Sequence, residues 1–190
     1  SMQNEKKADV SIILLAAGSS SRMGQSKQLL EIDGEPLLLR AAKTAVKSKV
    51  NHIVVVLGAN EENHRAFLQD MPLHILVNTN WQTGMGSSIK QALTFLMSQS
   101  PNLQAVIIMV CDQPLLTSGH LNKLLDTYLY NKKPIVASSY AKTIGVPALM
   151  DHTTFNSLLN LPDDHGAKKI FSHFLLWFFE LDKNISFPTL

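Results

Sequence analysis

The segment after the first apolar run of the chain combines small residues with two cations. Residues 12–17 are apolar throughout, and Gly18, Arg22, Gly24 and Lys27 follow them. The two glycines can adopt positive φ and bring backbone N–H groups close to an anion, while the arginine and the lysine add positive charge. One interpretation is a phosphate-binding loop at the end of a strand. The other is an ordinary strand-to-helix loop with solvated charges, because glycine-rich turns after strands are common.

An aspartate follows a second apolar run. Residues 105–110 predict a buried strand, and Cys111 and Asp112 come directly after it. A carboxylate at the carboxyl end of a parallel strand lies where ligands bind, and it can hold a magnesium ion that bridges phosphates. Alternatively, Asp112 accepts hydrogen bonds from backbone amides of the turn before Pro114. Cys111 has no base beside it in the sequence, so we expect a small buried hydrophobe rather than a nucleophile.

A second loop rich in glycine and hydroxyl groups precedes a predicted helix. Residues 78–88 contain Gly84, Met85, Ser87 and Ser88 just before an amphipathic segment that extends to about residue 97. Backbone N–H groups at a helix N-terminus can hold an anion, which gives this loop a binding interpretation. A serine N-cap with glycines for the turn is the alternative. Because this loop and the one after the first strand follow strands at the same end, we favour binding.

These loops belong to a chain in which strands and helices alternate. We predict strands from residue 12 onward and at 52–58, 73–77, 105–110, 134–138, 144–150 and 176–181. We predict helices at 36–48, 61–70, 153–159 and 167–174, a helix that follows the 78–88 loop and extends to about residue 97, and a helix that is capped by Thr117 or Ser118 and extends to about residue 130. The alternation indicates an α/β fold, a three-layer Rossmann-like architecture with a mostly parallel sheet and helices on both faces. Pro147 suggests an edge strand or a bulge for 144–150. The sequence lacks GxGxxG and GxxxxGK[ST], which speaks against hydride transfer and P-loop chemistry.

Length and composition are those of one globular domain spanning residues 1–190, with the polar residues 1–9 expected to be disordered. Hydrophobic residues make up 45% of the 190, and the formal charge is only +2, so we expect no nucleic-acid partner. A single cysteine allows no intrachain disulfide and indicates a reducing compartment, so the cytoplasm is the expected location. No 18-residue apolar stretch predicts a membrane span. We interpret His165 as a polar loop residue, with substrate contact as the alternative.

Two motifs resemble those of a known family. The sequence Leu15-Ala16-Ala17-Gly18-x-x-x-Arg22-Met23-Gly24-x-x-Lys27, with Cys111-Asp112-Gln113-Pro114 downstream, is similar to the nucleotidyltransferases of molybdenum cofactor biosynthesis. The resemblance extends from about residue 12 to residue 169. Leu-Ala-Ala-Gly resembles the cytidylyltransferase branch, whereas guanylyltransferases carry two glycines at the last positions. The Gly84 to Ser88 loop and, imperfectly, the segment 163–168 also resemble that branch.

The resemblance implies a fold of the nucleotide-diphospho-sugar transferase type and a specific reaction. The phosphate of molybdopterin cofactor attacks the α-phosphorus of CTP, which yields the cytosine dinucleotide cofactor and pyrophosphate. By the same resemblance, Arg22 and Lys27 hold the triphosphate and Asp112 binds Mg²⁺. The implied nucleotide-binding residues are Leu15, Ala16, Ala17, Gly18, Gly24, Gly84, Met85, Ser87 and Ser88. The attacking phosphate is already ionised near neutral pH, so no general base is assigned.

The C-terminal segment departs from the family pattern. Family members usually carry a second metal-binding aspartate in a segment like Asp-Ile-Asp-Thr-Pro-Glu-Asp, and residues 182–190 do not match it, although Asp182 offers a carboxylate. Three hypotheses follow from the sequence. The first is a CTP-dependent transferase acting on molybdopterin cofactor, with a molybdoenzyme or its maturation factor as partner. The others are a related nucleotidyltransferase with another acceptor or nucleotide, and a catalytically impaired cofactor-binding member.

Overall fold

The computed structural model describes residues 8–18, 31–32, 34–59, 61–140 and 142–180. Seven strands of this described part form one sheet in the order β5-β4-β1-β6-β8-β7-β9, and β2 and β3 form a separate hairpin. The strands are β1 (Val10–Ala16), β2 (Glu31–Ile32), β3 (Glu35–Pro36), β4 (His52–Leu57), β5 (His74–Val77), β6 (Ala105–Val110), β7 (Ile135–Tyr140), β8 (Thr143–Asp151) and β9 (Leu176–Glu180). Every pairing in the large sheet is parallel except those of β8 with β6 and β7.

Helices cover both faces of the sheet. They are α1 (Leu37–Lys47), α2 (Glu61–Leu68), α3 (Met85–Gln99), α4 (Ser118–Asn131) and α5 (Phe155–Leu159). Alternate residues of β1 point to opposite faces, so Ile12 and Leu14 pack in the core with α1 and α4, while Ile13 and Leu15 pack in the core with α3 and α5. All seven residues of β1 are buried. The predicted three-layer α/β fold is confirmed.

The predicted helices differ from the observed ones mainly at their ends. Pro36 is the N-cap of α1 rather than its first helical residue. The predicted helix at 153–159 begins as a 3-10 turn, His152–Thr154, and the one at 167–174 is a 3-10 helix, Ala167–His173. The described chain starts at Ala8, and the Asp9 carbonyl accepts a hydrogen bond from Gln104 N–H at 2.8 Å. These two residues, expected to be disordered, are therefore part of the fold.

Strand β8 lies inside the sheet and not at an edge. It is hydrogen-bonded to β6 on one side and to β7 on the other, so the edge-strand interpretation of Pro147 is wrong. The bulge interpretation is confirmed, because the β7–β8 register shifts between Val136 and Ser138. Pro147 is tolerated here because its missing N–H falls where the ladder is interrupted. In the described residues, no helix has both the length and the apolar character needed to cross a bilayer.

Candidate active site

Four adjacent parallel strands end at the same level. Leu57 of β4 pairs with Val77 of β5 and with Ala16 of β1, and Leu15 of β1 pairs with Val110 of β6. The next residues along these chains are therefore Asn78, Gly58, Ala17 and, after Cys111, Asp112. Because parallel strands lie about 4.8 Å apart, the ends of β1 and β6 form one continuous edge. This edge carries residues from both chemically informative motifs of the sequence.

The order in which the chain adds strands to the sheet reverses at β1. From β1 the chain moves to β4 and then to β5 on one side, and it later enters β6 on the other side of β1. The end of β1 therefore lies where the strand order reverses, which is the position at which open α/β sheets bind their ligands in a crevice beyond the strand ends. Gly18, two residues after β1, is exposed, and Asp112, two residues after β6, is partly buried. The sheet thus brings together Gly18 and Asp112, which are distant in sequence.

Gly58 allows the ends of β1 and β4 to pack closely against an aromatic ring. A Cβ added at residue 58 would lie 2.5 Å from the Ala17 carbonyl oxygen and 2.7 Å from Cβ and Cγ of Trp81. Side-chain carbon atoms cannot approach these groups so closely, so only glycine fits. Trp81 and the Ala17 carbonyl therefore both lie close to Gly58. Ala17, buried to 6% exposure, is fixed between the two neighbouring strands.

Asn78 joins the end of β5 to the first turn of α3. Its side-chain amide donates hydrogen bonds to the hydroxyls of Ser87 at 2.7 Å and Ser88 at 2.9 Å, and its Oδ1 accepts from Asn80 N–H at 2.9 Å. Asn78 is 4% exposed and Ser88 is 2% exposed. Both predicted nucleotide-binding serines therefore use their hydroxyls to fix the loop. Their contact with a nucleotide stays a prediction.

The start of α3 is covered by a distant loop, residues 162–166. The N-cap is Gly84, at φ +122°, with no side-chain cap, so the alternative interpretation of a serine N-cap is wrong. Ser87 N–H donates to the Asp163 carbonyl at 3.2 Å, and Lys90 forms an ion pair with the Asp163 carboxylate. At least one N–H group of the first turn is therefore bonded to protein. The backbone of 162–166 also fills the space where a Cβ on Gly86 would lie.

Side-chain hydrogen bonds satisfy two carbonyls of β8 near the end of its pairing with β6. Gln113 Nε2 donates to the Val146 carbonyl at 3.2 Å, and the Ser138 hydroxyl donates to the Pro147 carbonyl at 2.6 Å. His120 Nε2 lies 2.8 Å from the Ser138 hydroxyl. Because that hydroxyl gives its proton to Pro147, it accepts from His120. Burial, with Lys123 nearby, lowers the pKa of His120 to about 4, so the ring is neutral near pH 7.

Asp112 is the residue at which the sequence predicts a divalent cation. Among the residues that the structure describes, no group of three or more His, Cys, Asp or Glu side chains could enclose a metal. Asp112 supplies one carboxylate at the crevice. Mg²⁺ is commonly bound by one or two carboxylates, with water and substrate phosphate oxygens completing its octahedron, so a single aspartate fits that cation. Arg22, Gly24, Lys27 and Asp182 lie outside the described residues.

A comparison with protein families decides the relationship of the chain. A family model described as the MobA-like NTP transferase domain matches residues 12–177, which include both motifs and the whole crevice. The chain belongs to this family. As a MobA-like NTP transferase it is a nucleotidyltransferase by family. The match identifies the family and does not distinguish the molybdenum cofactor cytidylyltransferase branch within it.

Three curated relatives resemble the MobA-like chain over different lengths. Purine catabolism protein PucB of Bacillus subtilis is 28% identical over 168 residues, covering 83% of this chain and 78% of PucB. Bifunctional protein GlmU of Coxiella burnetii is 29% identical over 160 residues, or 34% of its length. Nicotine blue oxidoreductase of Paenarthrobacter nicotinovorans is 35% identical over 114 residues, covering 60% of this chain and 54% of that protein. The chain thus spans about a third of GlmU and about half of the oxidoreductase.

Solved structures share the fold. The crystal structure of Rv0371c from Mycobacterium tuberculosis H37Rv has a TM-score of 0.81 at 24% identity, covering 92% of this chain and 89% of that one. Another structure of Rv0371c is a complex with manganese, at a TM-score of 0.78 and 22% identity, with the same coverage. The 4-diphosphocytidyl-2C-methyl-D-erythritol synthase of Anaerococcus prevotii has a TM-score of 0.74 at 16% identity, covering 96% and 91%.

The structure places the predicted site residues of this MobA-like domain in two groups. Leu15, Ala16, Ala17 and Gly18 end β1 beside Asp112, while Gly84, Met85, Ser87 and Ser88 lie at the start of α3. Sequence reasoning missed Asn78 and Gly58 as the residues that fix these loops. Their only signal was position, since each directly follows an apolar strand. His165 lies in the covering loop, with its Nδ1 3.4 Å from an Asp164 carboxylate oxygen.

Proposed function

We propose that the chain transfers CMP from CTP to the phosphate of molybdopterin cofactor and releases pyrophosphate. The observation that supports this proposal is the adjacency of Ala17 and Gly18 to Asp112 at the point where the sheet reverses direction. A crevice there suits a nucleotide whose phosphates extend from the β1 loop toward β6. The acceptor phosphate then approaches from the β8 side, opposite β1.

This reaction needs alignment and charge neutralisation more than covalent chemistry. The acceptor phosphate oxygen forms a bond to the α-phosphorus of CTP, and the bond to the leaving pyrophosphate breaks. Arg22 and Lys27 are proposed to hold the triphosphate, since cations at the reacting centre stabilise charge that builds on the leaving group. A divalent cation bound at Asp112 would neutralise phosphate charge. The acceptor is ionised near neutral pH, so this chain needs no side chain to remove a proton.

The preference for cytosine rests on the end of β1. Leu15, Ala16 and Ala17 are buried, at 7%, 1% and 6% exposure, so their backbone and small side chains form a fixed wall beside Gly18. Two alanines in this position resemble the cytidylyltransferase form of the motif. Cytidylyltransferases are also among the proteins with this fold. An exchange of Ala17 to glycine removes a methyl group from this wall and so tests its part in nucleotide selection.

A pyrophosphate-release assay tests the proposal. The purified chain is given CTP, GTP or ATP with Mg²⁺, each with and without purified molybdopterin cofactor. We expect turnover with CTP that requires the cofactor and is lost in Asp112→Asn. Turnover with GTP but not CTP would overturn the role given to Ala17, and turnover only with another phosphate ester would replace the acceptor. If CTP binds and nothing turns over, the chain is a cofactor-binding member of the family.

A further inference from the structure

Strand β8 separates from both of its neighbours beside the proposed site. Its pairing with β6 runs from Asp151 to Ala148, which faces Ile108, and stops just before Pro147. On the other side, the pairs Val136↔Leu149 and Ser138↔Gly145 span two steps along β7 but four along β8. Strand β8 therefore contains extra residues at Val146 and Pro147, next to the end of β6. Bulges of this kind re-aim the chain near functional sites.

Two side chains satisfy the backbone carbonyls of this bulge. Gln113 Nε2 donates to Val146 at 3.2 Å, and the Ser138 hydroxyl donates to Pro147 at 2.6 Å, supported by His120. The two hydrogen bonds are comparable, since in each a side chain from a neighbouring segment donates to one backbone carbonyl of the bulge. They differ in one respect. Only Gln113 belongs to the segment that also carries Asp112.

Gln113 occupies its position at an energetic cost. It is 5% exposed, and its buried Oε1 has no hydrogen-bond partner among the residues that the structure describes. A buried acceptor without a partner destabilises the fold, and an apolar side chain of the same length, such as methionine, avoids that cost. The hydrogen bond to Val146 is what methionine cannot supply. The amide side chain at residue 113 is thus better explained by the connection it makes than by packing.

We propose that Gln113 is a positioning residue that holds the Asp112 carboxylate in place. By tying the residue after Asp112 to β8, the amide fixes the end of β6 between the nucleotide side, at β1, and the acceptor side, at β8. The backbone hydrogen bonds between β6 and β8 cannot connect this segment to β8, because that pairing stops at Ile108↔Ala148. The inference rests on the proposed function only in assigning a divalent cation to Asp112.

The test compares Gln113→Met with Ser138→Ala. Both variants remove one side-chain bond to the bulge, and hydrogen exchange of residues 143–148 reports whether both loosen it. Electron paramagnetic resonance measures Mn²⁺ affinity in the presence of whichever of CTP, GTP and ATP the wild type binds most tightly. We expect Gln113→Met to weaken Mn²⁺ binding at least fivefold, with metal-free nucleotide affinity within twofold. Ser138→Ala should leave Mn²⁺ affinity within twofold.

Equal loss of Mn²⁺ affinity in both variants, or no loss in Gln113→Met, would overturn the proposal, as would wild-type Mn²⁺ affinity in Asp112→Asn. Should Gln113→Met not fold, Gln113→Asn replaces it, because asparagine keeps a polar group but is too short to reach Val146. Failure of the proposed function is distinguishable. In that case the wild type binds Mn²⁺ and nucleotide without turning over molybdopterin cofactor, and the comparison of Mn²⁺ affinities still decides the role of Gln113.

Discussion

The side-chain amide of Asn78 lies 2.9 Å from the hydroxyl of Ser88, and both residues are almost completely buried. This contact joins the last residue of the β5 edge to the first turn of α3. The same amide reaches Ser87, and the Asn78 backbone N–H donates to the Leu57 carbonyl at 2.7 Å. One residue thus connects two strand ends and a helix beside the proposed nucleotide site.

Replacing Asn78 with alanine should lower the free energy of unfolding by about 2–3 kcal/mol, because the Ser88 hydroxyl loses its donor while staying buried. Urea denaturation measures the loss. Ser98→Ala is the matched control, since the Ser98 hydroxyl donates to the Phe95 carbonyl at 2.6 Å on an exposed surface. We expect a change below about 0.5 kcal/mol there. Similar losses in the two variants would contradict the role given to Asn78.

Gly84→Ala should destabilise the protein by at least about 3 kcal/mol. The residue adopts φ +122°, and an added Cβ would lie 2.6 Å from both the Asp163 carbonyl oxygen and the Asp164 Cα. The covering loop must then move away from α3. Gly119→Ala is the control, because among the described residues its Cβ would meet only Thr117 Oγ1, at 3.7 Å, and alanine favours a helix by up to about 1 kcal/mol. Calorimetric melting of the two variants gives the comparison.

The unfolding free energy should fall as the pH is lowered from about 6.5 toward 4. Burial lowers the pKa of His120 from 6.5 to about 4, so in this range the unfolded chain binds a proton that the folded chain does not. The stability from the neutral ring is complete above pH 6.5 and is lost toward pH 4. Allowing for partial exposure, the change is about 2 kcal/mol. Burial also lowers the pKa of His64, which acts in the same direction.

His120→Gln isolates that contribution, because glutamine can still donate to Ser138 but does not titrate. Denaturation series at pH 4.5, 5.5 and 7 should show a flatter dependence in the variant than in the wild type. A variant with the wild-type slope would mean that other groups, His64 among them, cause the pH dependence.

Lys27→Ala should reduce turnover by a factor of about 10²–10³, the loss typical of removing one preorganised group that stabilises developing charge. Steady-state pyrophosphate release at saturating nucleotide measures it. Lys49→Ala serves as control, since Lys49 pairs with Asp126 on an exposed surface and has no part in the proposed reaction. A Lys27→Ala enzyme with full activity would remove this lysine from the mechanism.

The order of elements and the location of the candidate site could be predicted from local patterns. The run at 105–110 matches β6 residue for residue, and the helix predicted to follow a cap at Thr117 or Ser118 matches α4, whose N-cap is Thr117 and which ends one residue beyond the predicted end at 130. Apolar runs and capping residues are properties of short segments, so strands and helices can be predicted from them without knowledge of the fold. That Asp112 follows a buried strand at the carboxyl edge of the sheet was also predicted, because parallel strands present their carboxyl ends at one edge.

The sequence by itself determined that buried strands end in small, polar and charged residues, since both the apolar pattern of a strand and the residue types of a turn involve residues that are neighbours in the chain. Only the tertiary structure decided that β8 runs antiparallel inside the sheet, that residues 162–166 cover the start of α3, and that Gln113 bonds to Val146. These contacts join segments 33 to 76 residues apart, such as Gln113 with Val146 and Ser87 with Asp163. An apolar pattern shows that a strand is buried, but its neighbour and direction depend on hydrogen bonds and packing between distant segments.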